Sequence, residues 1–83
     1  MAVLRLLGSQ GTLASASNVG FAKLVRVLNN KTSVQVITQK NAGGTTLATV
    51  TLAAGEVAYI AKAPDDTLTG VATSLAVSVA FAN

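Results

Sequence analysis

The sequence has no cysteine, no histidine and no tryptophan, and it has only three carboxylates: Glu56, Asp65 and Asp66. Without cysteine the chain forms no disulfide and has no thiolate nucleophile, and without cysteine and histidine it lacks the ordinary ligands of a structural zinc site. The imidazole group, which serves most often as a general acid or base, is missing too. These absences predict a protein that is not an enzyme and that holds neither a metal ion nor a cofactor.

Charge is scarce as well. Charged residues make up 11% of the chain, against about one quarter in an average soluble domain, and the net charge is +3. The basic residues are scattered, and the only aromatic residues are Phe21, Tyr59 and Phe81. A nucleic-acid site needs a dense basic patch, often with aromatic side chains for stacking. The composition therefore excludes a dedicated nucleic-acid-binding protein, while mild attraction to an acidic protein surface fits it.

The 83 residues suffice for one small domain. A folded chain of 8.3 kDa exposes roughly 4,600 Å², and domains of this size usually need a disulfide, a metal or a partner for stability. Because the first two are excluded, we expect self-association or docking on a larger protein body. The alternative is a well-packed monomer whose surface is covered by threonine, serine, asparagine and glutamine.

Long hydrophobic runs are absent. The apolar residues at positions 1–7 are interrupted by the Gly8-Ser9-Gln10-Gly11-Thr12 segment, so they do not form the continuous apolar core of a secretion signal. The charge-free stretch from Thr67 to Asn83 is too short and too rich in threonine and serine to span a bilayer. The sequence predicts a protein made in a cytoplasm and not associated with a membrane.

What the sequence does contain is a strand-forming pattern. Valine, isoleucine and threonine supply 23 residues, mostly with a period of two, and Gly, Asn or Pro-Asp turns recur every 8–12 residues. The predicted strands are Ala2–Leu7, Lys23–Leu28, Ser33–Gln39, Thr45–Leu52, Val57–Lys62, the weaker Thr67–Val71, and Ser74–Phe81. We therefore predict a single all-β domain over residues 1–83, a small antiparallel β-sandwich or partly open barrel of six to seven strands. Residues 1–20 either belong to it as a long loop or extend from it as an N-terminal arm.

Two features of the strand pattern make finer predictions. The Asn29-Asn30-Lys31 turn predicts a hairpin between Lys23–Leu28 and Ser33–Gln39, because asparagine tolerates turn geometry. In the last strand, the larger side chains from Leu75 to Phe81 alternate with alanine and serine, so we expect the larger ones to fill the core. This strand also lacks the lysine, proline or bulge that protects an exposed edge, which predicts a central or covered position.

Two short motifs imitate functional sites and are better explained as turns. The adjacent Asp65 and Asp66 lack the alternating ligand spacing of a calcium loop. The Gly43-Gly44-Thr45-Thr46 segment lacks the lysine of a phosphate-binding loop and leads into a strand, so we interpret it as a hairpin turn. The lysines form no recognisable dyad with a serine.

Several segments resemble small virion structural proteins of marine tailed bacteriophages. The resemblance is carried by Met1-Ala2-Val3-Leu4-Arg5-Leu6, by Ala22-Lys23-Leu24-Val25-Arg26-Val27-Leu28-Asn29, by Thr51-Leu52-Ala53-Ala54-Gly55-Glu56 with Tyr59-Ile60-Ala61-Lys62, and by Val77-Ser78-Val79-Ala80-Phe81-Ala82-Asn83. It spans most of the chain as a pattern of apolar strands and turns, without a catalytic motif. The resemblance implies a β-sandwich module of a capsid, neck or tail, located in the virion.

We therefore expect a capsid decoration or cement subunit that binds the major capsid protein or other virion proteins and stabilises the phage head. A neck, tail or baseplate ring component is the alternative within this class, and a carbohydrate or cell-surface binding module is the alternative outside it. The candidate interface residues combine apolar or basic groups with irregular backbone. They are Val3, Leu4, Leu6, Leu7, Asn29, Asn30 and Lys31, with the Gly8–Gly20 loop as a further contact region.

Overall fold

A computed structural model describes residues 3–71 and 73–81, and this part of the chain is all β with no helix. Seven of its eight strands fall within or close to the segments that the sequence predicts, and the eighth is a two-residue strand in the expected loop. In chain order they are β1 Leu4–Leu6, β2 Gly11–Thr12, β3 Leu24–Asn29, β4 Gln35–Lys40, β5 Thr46–Leu52, β6 Val57–Ala61, β7 Thr67–Thr69 and β8 Ser74–Phe81.

The strands form two antiparallel sheets. The larger sheet has the order β1-β8-β3-β6, with β2 also paired to β8, and the smaller one has the order β5-β4-β7. The two sheets pack into a slab with extents of 32 × 31 × 19 Å, as expected for two layers about 10 Å apart. The exposed area of 4694 Å² agrees with the area expected from the mass. The prediction of a small antiparallel β-sandwich is confirmed.

The core between the sheets follows the two-residue period of the strands. In β3, Val25 and Val27 are fully buried, and their cross-strand partners Ala58, Ile60 and Ala76 lie on the same face. Ile37, Leu52 and Leu68 face them from the smaller sheet. The buried cluster comprises Leu13, Ala22, Val25, Val27, Ile37, Leu52, Leu68 and Ala76.

The hairpin predicted between the second and third segments is wrong. Strand β3 pairs with β6 and β8, whereas β4 pairs with β5 and β7, so the Asn29–Lys31 turn carries the chain from one sheet to the other. The same turn residues can connect two strands of a hairpin or two strands in different sheets. The turn sequence therefore does not distinguish the two connections, and the packing of the strands decides between them. The hairpin turn at Gly43-Gly44 is present between β4 and β5, with Gly44 in the left-handed region at φ 89°.

The last strand also departs from its predicted orientation. Ala76 packs in the core beside Val27, whereas Val77 and Val79 lie on the opposite face and are nevertheless buried, at 5% and 2% exposed. The long side chains of the smaller sheet and Leu13 fill the interior, so the strand facing them needs small residues. The predicted central position is confirmed, since β8 is paired on one side to β3 and on the other to β1 and β2.

The N-terminal segment is built into the sandwich. Strands β1 and β2 both pair with β8, and between β2 and β3 the side chain of Leu13 is 1% exposed in the core. The Leu13 amide donates to the Ser74 carbonyl over 2.9 Å, and the Leu13 carbonyl accepts from the Gly70 amide over 2.8 Å. Residues 4–20 are therefore part of the domain, and the expectation of an arm is not met for them.

Gly70 occupies a position where no side chain fits. A Cβ atom at this residue would overlap Ser74 Oγ and lie 2.9 Å from Ile37 Cδ1. We expect Gly70→Ala to lower the free energy of unfolding by about 1–3 kcal/mol, the usual cost of an overpacked interior. Urea unfolding followed by far-UV circular dichroism measures this loss. Gly11→Ala is the control, because a Cβ there meets nothing within 4 Å; equal losses for both variants would contradict the packing argument.

A buried polar cluster joins the two sheets at the end where β3 finishes. Asn29, Gln35 and Ser74 are buried, and they come from β3, β4 and β8. The Gln35 side chain donates to Asn29 Oδ1 and accepts from Ser74 Oγ. No buried side-chain nitrogen or oxygen in the described part of the chain lacks a hydrogen-bond partner. The cluster is therefore a fully bonded polar link across the core.

Asn29 is the centre of this link. Its Nδ2 lies 3.0 Å from the carbonyl oxygen of Ser33, 3.1 Å from that of Leu52 and 3.0 Å from that of Ala53, so three acceptors share its two hydrogens. Its Oδ1 accepts from the Lys31 amide at 3.0 Å. Because Asn29 is fully buried, its assignment to a contact surface is corrected. The side chain holds the crossover from β3 to β4 in place.

Candidate functional site

The few titratable groups serve the fold. Glu56 Oε1 accepts from the Ala53 amide at 2.7 Å, closing the turn between β5 and β6. Asp66 Oδ2 accepts from Gln39 Nε2 at 3.0 Å and from the Ala63 amide at 3.3 Å. No group of three possible metal ligands occurs in residues 3–71 and 73–81. The interpretation of Asp65-Asp66 as a turn agrees with these contacts.

Lys62 follows β6 directly and is the one buried charged side chain among the described residues. Its Nζ donates to the carbonyls of Ala22 at 2.7 Å, Pro64 at 3.2 Å and Ala63 at 3.3 Å. Burial lowers the pKa of Lys62, and the negative charges of Asp66 and Asp65 partly oppose that shift. Since all three contacts are backbone carbonyls, the ammonium group ties the loop after β6 to Ala22, two residues before β3.

The outer face of the five-stranded sheet is the most unusual surface of the molecule. Direct cross-strand partners share a face, and residues that alternate with the core positions of β3 and β8 point away from the interior. We call this surface the docking face. It consists of Leu4 and Leu6 from β1, Leu24, Arg26 and Leu28 from β3, Val57, Tyr59 and Ala61 from β6, and Leu75, Val77, Val79 and Phe81 from β8.

The docking face is apolar, and its exposed part lies on the edge strands β1 and β6 and at the end of β8, since Val77 and Val79 are only 5% and 2% exposed. Leu6 is 69% exposed, Phe81 51% and Tyr59 46%, and the Tyr59 and Phe81 rings lie 5.8 Å apart at a tilt of 47°. Arg26 is the only charged residue in the set, and it is half-buried opposite Val77. Exposed apolar surface that extends over several neighbouring strands is typical of an interaction site rather than of a solvated face.

A cleft continues the docking face beyond the start of β3. It has a volume of about 500 Å³, and its walls include Leu7, Phe21 and Phe81. Phe21 is exposed on a turn in which Val19, Gly20 and Phe21 all have positive φ angles of 54°, 68° and 58°. The Phe21 amide donates to Asn18 Oδ1 at 3.2 Å, which helps to hold this costly backbone. The turn places an aromatic ring next to the edge of the docking face.

The outer face of the smaller sheet is rich in threonine. Thr69, Thr38 and Thr49 lie directly opposite one another across β7, β4 and β5, and Thr51 lies opposite Val36. Threonine hydroxyls keep such a face hydrated while its β-branched side chains favour the strand conformation. Val36 on this face is 50% exposed and Leu47 of β5 is 51% exposed, so the smaller sheet mixes threonine with apolar side chains, whereas the exposed pair of aromatic rings lies on the larger sheet.

The structure brings together only some of the predicted interface residues. Leu4 and Leu6 are on the docking face, and Leu7 lines the adjoining cleft. Val3 is exposed just before β1. Asn30 and Lys31 are exposed at the opposite end of the sheet, where the Asn30 amide donates to the Thr73 carbonyl at 3.0 Å.

Sequence reasoning missed the contribution of β3 and β8 to this surface. The alternation of Leu24, Arg26 and Leu28 with two valines already indicated a strand that is apolar on both sides. What the pattern left open was which of the two sides another sheet covers. Tyr59 and Phe81 are far apart in the sequence, and their proximity follows from the pairing of β6 and β8 with β3.

No protein-family model, no curated protein and no solved structure matches this chain. Within the described residues there is no helix of the length and apolar character needed to cross a membrane. The docking face therefore provides the basis for a functional assignment.

Proposed function

We propose that this chain is a non-enzymatic structural protein of a virus particle, a capsid decoration or cement subunit that binds the major capsid protein through its docking face. The observation that carries the proposal is the exposed apolar surface around Leu6, Tyr59 and Phe81. The resemblance of the strand and turn segments to small phage virion proteins supports the choice of partner.

The size of the docking face suits a stable interface. A specific complex buries about 800 Å² on each partner, which is about one sixth of the 4694 Å² that this domain exposes. One whole face of a two-layer sandwich provides such an area. Aromatic residues contribute much of the energy of many interfaces, and Tyr59 with Phe81 supplies an exposed aromatic pair.

The mechanism requires no chemistry. A subunit that binds across a joint of the assembled shell, and not to separated capsid proteins, shifts the equilibrium towards the assembled shell by mass action. The side chains remove apolar area from water and the polar Thr face stays in solvent. Since Arg26 is the one charge on the docking face, an acidic group on the partner is expected opposite it.

Co-sedimentation with phage heads tests the proposal. Heads of the phage that encodes this chain, prepared without it, are mixed with the purified protein at increasing concentration and pelleted. We expect saturable binding with hundreds of copies per head and an increase in the temperature at which the heads release their DNA. Unsaturable or absent binding to intact heads would contradict the proposal.

Copy number separates the decoration subunit from a neck, tail or baseplate ring component. A ring with closed symmetry holds about a dozen copies, whereas a shell holds hundreds. Quantitative mass spectrometry of purified particles measures this ratio directly.

A carbohydrate-binding module is a second candidate, favoured by the exposed pair of Tyr59 and Phe81 rings. Sugar rings stack on aromatic side chains, and Arg26 next to Tyr59 supplies hydrogen-bond donors. A glycan array distinguishes this function from the first, because a tight hit that Tyr59→Ala removes would favour sugar binding.

A further inference from the structure

Strand β5 forms an edge of the smaller sheet and lacks the usual protection of an edge strand. It pairs with β4 on one side, and no strand of the described residues pairs with its other side. It runs for seven residues, Thr46–Leu52, with neither charge nor proline, and all of them except Leu52 are exposed. Natural edges carry lysine, proline or bulges that block pairing with other chains. The bulge between Gln39 and Lys40 affects only the first residues of the β5 pairing.

The interior of the sandwich is open beside this edge. A cavity of about 270 Å³ lies between β5 and β6, and its walls include Ile37, Val50, Ile60 and Leu68. Val50 pairs with the buried Ile37 and so faces inward, yet it is 43% exposed. An inward-facing valine that water reaches indicates that this side of the sandwich lacks a covering strand.

We propose that the covering strand is β5 of a second copy of this chain, paired antiparallel across a two-fold axis. The register that pairs the full strand places Thr49 opposite the partner's Thr49, because Thr49 is the middle residue of β5. The two smaller sheets then join into one six-stranded sheet. Val50 lies next to the partner's Ala48, both on the inner face, so the second copy covers the opening.

The charges around β5 favour the same partner and the same orientation. Lys40 pairs with Thr46 at one end of β5, and Glu56 binds the Ala53 amide just beyond the other end. Antiparallel pairing brings the Lys40 end of one copy beside the Glu56 end of the other, twice in each dimer. A parallel arrangement would place like charges together. The docking face is on the other sheet, and Tyr59 borders both it and the cavity beside β5. The dimer is therefore tested at Thr49, which lies outside the docking face, so its failure and that of the capsid contact are distinguishable.

A charge exchange at the two-fold axis tests the dimer. We expect the purified wild-type protein to sediment as a dimer, with Thr49→Lys raising the dissociation constant at least tenfold because two ammonium groups then face each other. Thr49→Glu alone has the same effect, and an equal mixture of the two variants forms the heterodimer. Thr69→Lys is the control, since it adds the same charge to the same outer face on β7.

Sedimentation velocity at protein concentrations from about 1 µM to 1 mM, a range that covers ordinary protein complexes, measures the dissociation constant of the dimer. Amide hydrogen exchange of the separate variants and of their mixture shows whether β5 becomes protected when the heterodimer forms. A wild-type monomer at 1 mM would overturn the proposal. Equal weakening by Thr49→Lys and Thr69→Lys would overturn it as well, as would a mixture of the Thr49 variants that stays monomeric.

Discussion

Replacing Asn29 with aspartate is expected to lower the free energy of unfolding by about 3–5 kcal/mol, the cost of an uncompensated buried charge. The substitution keeps the shape of the side chain but turns the Nδ2 donor into an acceptor. That atom lies within 3.1 Å of the carbonyls of Ser33, Leu52 and Ala53. Since a domain of this size is stable by roughly 4–12 kcal/mol, the variant loses much of its stability.

Far-UV circular dichroism during urea unfolding at pH 7 measures this effect. Asn30→Asp is the matched control, because it introduces the same charge at the adjacent, exposed position. Burial among carbonyls raises the pKa of the new carboxyl, so the Asn29→Asp variant regains stability relative to the control as the pH falls and the group becomes protonated. Equal stability of the two variants at pH 7 would contradict the role assigned to Asn29.

Removing exposed apolar side chains of the docking face is expected to weaken particle binding. Tyr59→Ala removes an aromatic ring from β6, and Leu6→Ala removes the most exposed leucine of the face from β1, at the opposite edge of the sheet. Truncating an aromatic residue that anchors an interface costs about 2 kcal/mol or more of binding free energy. The affinity of Tyr59→Ala for phage heads therefore falls roughly 30-fold or more, and that of Leu6→Ala falls several-fold. Co-sedimentation with phage heads at several protein concentrations gives these ratios.

The docking variants need controls for exposure and for folding. Val34 is 62% exposed, close to the exposure of Leu6, and it lies outside the docking face. Val34→Ala is therefore expected to bind heads like the wild type, and unchanged circular dichroism shows that the Tyr59 and Leu6 variants remain folded. If Val34→Ala and Leu6→Ala lose the same affinity, the contact is not specific to the docking face.

The positions of the strands could be predicted from the sequence because they depend on local chemistry. Runs of valine and threonine favour extended backbone, and Gly44, Gly55 and the Pro64-Asp65 pair end them. Seven segments were located in this way, and the central position of β8 followed from its lack of edge protection. The two-residue strand β2 carries no such signal, since it depends on its pairing with β8.

The pairing of the strands could not be predicted in this way. The sequence identifies Asn29 as a turn residue, but its amide also bonds to Leu52 and Ala53, which are distant in the sequence. In β8 both faces are apolar, and the choice of the alanine face for the core depends on the length of Ile37 and Leu52 across the sandwich. The candidate site was predicted only for Leu4, Leu6 and Leu7, because the rest of the docking face arises from strand pairing.

Hydroxyl-radical footprinting of the protein, free and bound to phage heads, tests the central claim most directly. Radicals modify exposed leucine and aromatic side chains, so a contact surface is identified by its lower rate of modification in the bound state. We expect strong protection of Leu6, Tyr59 and Phe81, with Val34 modified at its free rate. Bound protein in which Leu6, Tyr59 and Phe81 react as fast as in the free protein would contradict it.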